Sequence, residues 1–156
     1  MKIVEVQTGD RIPAKIEKLI FEDFLFIKKS GQFEFDWRKP DIEKVYKLFD
    51  SQTTDILGLL YIEDYPEELR LEIKLLEVQK ELVGKNKRIE GIAGCLIAFA
   101  CAEAFKKGYQ GFVSLVPKTL LINHYQNKYG FAKYGRQLAI EGYQANQLIE
   151  NYLEYE

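Results

Sequence analysis

Apolar positions along the chain recur with a period of two in some stretches and with helical spacing in others, and the changes between the two predict an order of elements. Residues 1–7 alternate apolar with charged or polar side chains and predict a first strand. Residues 14–29 carry Ile16, Ile20, Phe21, Phe24 and Ile27 at helical spacing after Pro13, which predicts a helix. Residues 32–38 form an aromatic-rich extended stretch. Pro40 and Asp41 then open a short predicted helix through Val45, Leu48 and Phe49. Residues 55–64, with Gly58 inside, and residues 71–79 read as two strands joined by an acidic turn at Pro66, an antiparallel hairpin.

The second half is more regular. Residues 80–88 form a mostly polar loop with Gly84 and the run Lys85-Asn86-Lys87-Arg88. Residues 91–107 predict a long helix that stops at Gly108. Residues 111–116 are a short apolar strand closed by Pro117. Residues 119–129 are a helix stopped by Gly130, 131–141 one strand or two short ones, and 145–152 a C-terminal helix. Helices, a hairpin, then helix, strand, helix, strand, helix make a mixed α/β (α+β) fold. The 156 residues suit a single domain, 1–156.

Composition narrows the function only by exclusion. Hydrophobic residues make up 47% and charged residues 29%, as in a globular protein. The formal net charge of -2 supplies no overall field toward nucleic acid or anionic membrane, so neither is expected as a partner. Cys95 and Cys101 are the two cysteines and His124 the one histidine, too few for a Cys/His zinc site, and no metal is expected. The cysteines lie six positions apart in an apolar helical stretch and read as buried thiols. The N-terminus lacks a signal-peptide core, and the longest apolar run, 92–102, is far short of the ~20 residues of a membrane span. The expected compartment is the cytoplasm.

The feature richest in chemistry is Arg88-Ile89-Glu90-Gly91-Ile92-Ala93-Gly94, which follows a strand and a loop and opens the long helix. Free N–H groups at a helix start attract anions, and the helix dipole adds to the attraction. Gly91 lets a phosphate approach the main chain, and Ala93 and Gly94 keep the next turn slim. Lys85, Lys87 and Arg88 add positive charge. Locally, a loop with solvated lysines leading into an ordinary helix fits as well.

Arg88-x-x-Gly91-x-Ala93 resembles the Gln/Arg-x-x-Gly-x-Gly/Ala signature of the GCN5-related N-acetyltransferases (GNAT). The predicted elements over residues 55–141 follow that family's order. The resemblance implies a GNAT-like mixed central sheet, largely antiparallel with a splayed parallel pair, flanked by helices. It implies acetyl-CoA as acyl donor, its pantetheine arm along Leu76 and Val78 and its pyrophosphate on Arg88, Ile89, Glu90, Gly91, Ile92 and Ala93. Two departures stand out: the longer loop before Arg88, and Pro117, Lys118 and Thr119 where the family often has Asn.

The resemblance also implies direct attack by an amine, without a covalent enzyme intermediate. Glu77 is the leading base candidate: strict alternation would put Leu71, Ile73, Leu75 and Glu77 on one strand face, where a carboxylate is costly unless paired or at an open edge. Glu72, alternating with Lys74, is weaker and is expected on a solvated face. Tyr125 is the leading acid, with Tyr129 as fallback and plain ring packing as the alternative. His124 reads as a surface residue, and Trp37 as either core or a border of the acceptor pocket. The acceptor is expected to be a small-molecule or protein amine. A non-catalytic acyl-CoA-binding module, or a toxin-like enzyme acting on aminoacyl-tRNA, are the alternatives. Edge strands near the C-terminus could pair two copies into a homodimer.

Overall fold

The long hairpin forms the centre of the sheet. In the computed structural model, which describes residues 1–117 and 122–154, β4 (Ile56–Tyr65) and β5 (Arg70–Val78) pair antiparallel around a 3-10 turn at Pro66–Glu68. On one side β3 (Val45–Asp50) and then β2 (Ala14–Lys18) extend the sheet, both antiparallel. On the other side lie β7 (Val113–Leu115), β9 (Gln137–Ile140) and β8 (Ala132–Tyr134). Of these pairs only β5–β7 is parallel. A separate ribbon joins β1 (Val4–Glu5) to β6 (Ile89–Glu90).

Between β6 and β7 runs α2 (Ile92–Lys106), apolar nearly all round because it is covered on nearly all sides. One flank packs on β4 and β5; another meets α4 (Gly142–Leu148) and the π-helical turn Ile149–Leu153 that continues it. Cys95 and Cys101 are buried on this helix, and burial pushes both thiols up to about 12. The opposite sheet face carries a smaller core of Leu19, Phe24, Trp37, Val45, Ile56 and Leu59, beneath α1 (Asp23–Ser30). No helix among the described residues is long and apolar enough to cross a membrane.

Two predicted helices are corrected. Residues 14–18 form β2, and only Asp23–Ser30 of the predicted 14–29 helix is helical. Ala14 and Ile16 pack inward in register with β3, and the chain turns at Leu19, where the Asp23 carboxylate accepts the Ile20 N–H at 2.9 Å. The predicted helix through Val45, Leu48 and Phe49 shrinks to a 3-10 turn at Ile42–Lys44 followed by β3. Val45 and Leu48, three apart, mimic a helical stripe. In a strand that spacing puts them on opposite faces, and each is buried in a different core. The 131–141 stretch is two short strands, as one of its two readings allowed. The predicted helix start at 119 lies outside the described residues; α3 (Ile122–Tyr129) is helical.

The alternation assigned to β5 also fails. Tyr61 pairs with Leu75 but Ile62 pairs with Ile73, so β5 holds one extra residue, Lys74. Leu71 and Ile73 point to the α2 core, Leu75 to the other, and Leu76 and Val78 again to the α2 side. Glu72 is buried at 6% exposure rather than solvated. Arg70 donates to it at 2.7 Å, Lys74 contacts it at 2.7 Å, and Arg70 also donates to Ser114 at 2.9 Å. Burial opposes ionisation of Glu72, but the bonds from Lys74 and Arg70 prevail and hold its carboxyl below the ordinary value of 4.5.

Glu72→Gln leaves the half-buried Arg70 guanidinium and the Lys74 ammonium facing a neutral amide and is expected to cost about 3 kcal/mol at neutral pH. Because the folded carboxyl titrates below 4.5, its contribution is complete above that pH and lost as pH falls through the lower folded value. Melting temperatures of wild type and variant should therefore converge on acidification below about 4.5; a constant gap would show that charge at Glu72 is not what matters.

Candidate acyl-donor site

The parallel pair separates where β7 ends. β5 and β7 are in register only from Leu71 and Val113 to Ile73 and Leu115, while β5 continues to Val78 with no β7 partner. A cleft of about 840 Å³ opens beside this free stretch, between the start of α2, the 82–87 loop and α3. Val78, Ile89, Glu90, Gly91, Ile92, Ala93 and Tyr125 line it, so the structure brings most of the expected donor-side residues together. Leu76 packs in the α2-side core and Arg88 is exposed, its carbonyl accepting the Val6 N–H; neither lines the cleft.

The first bond inside the helix runs from the Cys95 N–H to the Gly91 carbonyl at 2.9 Å. The N–H groups of Ile92, Ala93 and Gly94 precede it and have no carbonyl within the helix to bond. Lys2, Lys85, Lys87 and Lys128 line the same cleft against the single carboxylate of Glu90. Burial, and then the nearby charges of Lys87 and Lys2, depress the Lys128 ammonium, with Glu90 opposing them. Lysines gathered closely enough to disfavour one another, beside helix-start amides, make a site for a multivalent anion.

Gly91 is glycine for a reason the sequence did not show. Its φ is 99°, and a Cβ there would lie 1.8 Å from the Lys2 carbonyl oxygen. Gly94 likewise makes room for the Tyr152 ring, which a Cβ would approach to 2.2 Å. The space beside both glycines is thus filled by the protein's own two ends, which the Lys2 N–H ties together by donating to the Tyr152 carbonyl at 2.6 Å. Lys2, Lys128 and Tyr152 were missed as cleft residues. Local pattern carries no signal for the first and last, which arrive through long-range pairing.

Tyr125 is half-buried on α3 and stacks near Tyr129 and Phe131, with ring centroids 6.0 and 5.8 Å away. Burial alone raises its phenol, so at neutral pH it is a hydroxyl donor and not a base. Tyr129, the fallback, is 5% exposed and also lines the cleft; burial raises it further. His124 is exposed at the cleft edge.

Glu77 sits apart from this cleft, on the sheet face opposite α2. Its carboxylate accepts the Glu34 N–H at 2.7 Å, the Phe35 N–H at 3.3 Å and the Trp37 Nε1–H at 2.8 Å. Trp37 is core, at 2% exposure, and also borders a second cleft on that face.

Among the described residues the sheet has seven strands, antiparallel except for one parallel pair that separates beside a helix start, and this is the fold of the GNAT acetyltransferases. Solved structures share it. N-acetylglutamate synthase from Neisseria gonorrhoeae, complexed with coenzyme A and L-arginine, superposes with a TM-score of 0.63 at 12% identity over 86% of this chain. The chain spans 34% of that synthase's length. Spermidine/spermine N-acetyltransferase from Vibrio cholerae gives 0.58 at 14% identity, covering 92% of this chain and 98% of that one. An acetyltransferase of the GNAT family from Bacillus anthracis gives 0.55 at 15%, covering 83% and 95%. The sequence itself matches no family model and no curated protein. The likeness is one of fold.

Gly91→Ala forces a side chain into a left-handed conformation, worth about 1–3 kcal/mol, and against the Lys2 carbonyl. We expect a lower urea midpoint and faster proteolysis of the N-terminal strand. A midpoint equal to wild type would show that neither the φ nor the Lys2 contact constrains this position.

Proposed function

We propose that this protein is an N-acyltransferase that takes an acyl group, expected to be acetyl, from acyl-CoA to an amine by direct attack. One observation carries the reading: the first-turn amides of α2, which have no carbonyl within the helix to bond, stand at a lysine-rimmed cleft beside the free end of β5. Those residues fit an acyl-CoA. The amides of Ile92, Ala93 and Gly94 would take pyrophosphate oxygens, Lys85, Lys87 and Lys128 would balance the remaining phosphate charge, and the unpaired edge of β5 near Leu76 and Val78 would offer main-chain groups to an amide-containing arm.

In the transfer, the amine nitrogen bonds to the acyl carbon, the carbon–sulfur bond breaks, and the amine loses one proton while the departing thiolate gains one. The chain's part is to orient the partners and move those protons. Tyr125 is proposed as the donor to sulfur, because it lines the cleft with its hydroxyl held protonated by burial. The acceptor side is proposed on the other sheet face, beside Glu77. The neighbours' small-molecule partners, such as the L-2,4-diaminobutyric acid bound to an acetyltransferase from Paenibacillus lautus, favour a small amine over a protein acceptor.

Thermal shift with acetyl-CoA, coenzyme A and an ADP control tests the donor. Stabilisation of about 2.7 kcal/mol is expected for the first two at a hundred times their Kd, and none from either would sink the proposal. Lys128→Glu should weaken coenzyme A binding, with the loss shrinking as salt rises; a salt-independent loss would point to packing instead.

Tyr125→Phe should lower turnover, read as thiol release across an amine panel, by about a hundredfold while coenzyme A affinity holds. An unchanged rate removes Tyr125 from the chemistry.

A further inference from the structure

The three bonds to Glu77 all come from one segment. Glu34 and Phe35 give main-chain N–H groups and Trp37 its indole N–H, while Gln32, two residues earlier, is held at the other end. The Gln32 carbonyl accepts the Lys80 N–H at 3.0 Å, and its side-chain oxygen accepts the Glu81 N–H at 3.0 Å. An irregular stretch with no strand or helix of its own is therefore pinned at one end to β5 and at the other to the 3-10 turn Lys80–Leu82 beyond it. Its outer side borders a cleft of about 370 Å³, whose apolar lining comes from Phe24, Ile27, Phe33, Phe35 and Trp37. The rim carries Lys28 and Arg38 against Asp36, and the Arg38 guanidinium lies 5.4 Å from the Phe24 ring centroid.

A carboxylate whose two oxygens already accept three N–H bonds is oriented by them and turned away from other work. Resting on the acyltransferase reading, we propose that Glu77 is a positioning residue: it fixes residues 33–37 as one wall of the acceptor cleft, which selects an amine with an apolar body over a polyamine. The lining offers rings and aliphatic groups to such a body. The rim, with two cations to one carboxylate, repels a chain of ammonium groups. Glu77 then acts through Trp37 and Phe35 and not on the reacting nitrogen.

Trp37 is the sole tryptophan, so its emission reports on the wall directly. Phenethylamine and spermidine are titrated into the full chain, with and without coenzyme A, and coenzyme A affinity is measured separately by calorimetry. Phenethylamine should change Trp37 emission saturably, and spermidine should not. Glu77→Gln replaces an acceptor oxygen by a donor. It should shift the resting emission to longer wavelength and weaken phenethylamine at least tenfold, with coenzyme A affinity within twofold of wild type. Phe35→Ala, at a half-exposed ring, should also weaken phenethylamine and serves if the first variant fails to fold. Emission unchanged in Glu77→Gln, wild-type phenethylamine affinity in either folded variant, or tighter spermidine than phenethylamine would overturn the proposal. So would a Glu77→Gln enzyme that loses only turnover and the acidic limb of its pH profile, which is the signature of a base. Failure of coenzyme A to bind would refute the donor reading while the amine titrations still decide this one.

Discussion

The extra residue in β5 governs how this sheet is used. With Lys74 inserted opposite the Tyr61–Ile62 step, the strand changes which face each later side chain serves. Before it, Leu71 and Ile73 sit under α2; after it, Leu76 and Val78 do, while Leu75 and Glu77 pass to the far side. A bulge also sharpens local twist. Pairing to β7 stops at Ile73, just before the insertion, so one residue accompanies both the change of face and the parting of the strands. The two clefts lie on opposite sheet faces: Val78 of β5 lines one, and Glu77 of β5 holds the segment that lines the other.

A second constraint holds the helix start in place. α2 begins without a side-chain cap, at a glycine in left-handed conformation. What fixes it is the crossing of the chain's two ends over it: the Lys2 carbonyl against Gly91, the Tyr152 ring against Gly94, and the Cys95 thiol near both the Lys2 and Tyr152 carbonyls. The first-turn amides have no acceptor within the helix, and the backbone presenting them is clamped from behind. An anion site built this way is preorganised, since its donors need no rearrangement when charge arrives.

The parts legible in the sequence were those where length and period agreed. The long apolar helix, the hairpin and the glycine stops needed no distant information, and the resemblance at 88–93 added the fold. Val45 and Leu48 were misread because a strand buried on both faces can imitate helical spacing. Residues 14–18 form a strand with one face exposed, and were misread because Ile16 stands four residues before Ile20. Glu72 and Lys74 looked like a solvated alternation, yet Arg70 and Ser114 close over Glu72 from the same strand and from β7. Glu77 was read as a base candidate whose carboxylate would need an open edge or a partner, and the structure pairs it. Its partners lie some forty residues back, so no local pattern could name them.

A donor site that works through the main chain would let the fold be kept while the sequence diverges. At 12 to 15% identity to the solved neighbours, few side chains are shared, and no family model matches. The proposed donor site asks little of side chains. Its amides belong to whatever residues occupy the first turn, its steric demands fall on Gly91 and Gly94, and its cations come from a loop, a helix and the segment before β1, which need only deliver positive charge. Such a site tolerates drift at nearly every position while keeping its geometry. The far face follows the opposite logic. There a carboxylate, an indole and a stretch without regular structure depend on one another, and changing any of them moves the rest. Divergence among proteins of this fold should therefore concentrate on the acceptor face, where specificity is written in side chains, and spare the donor face, where it is written in the main chain.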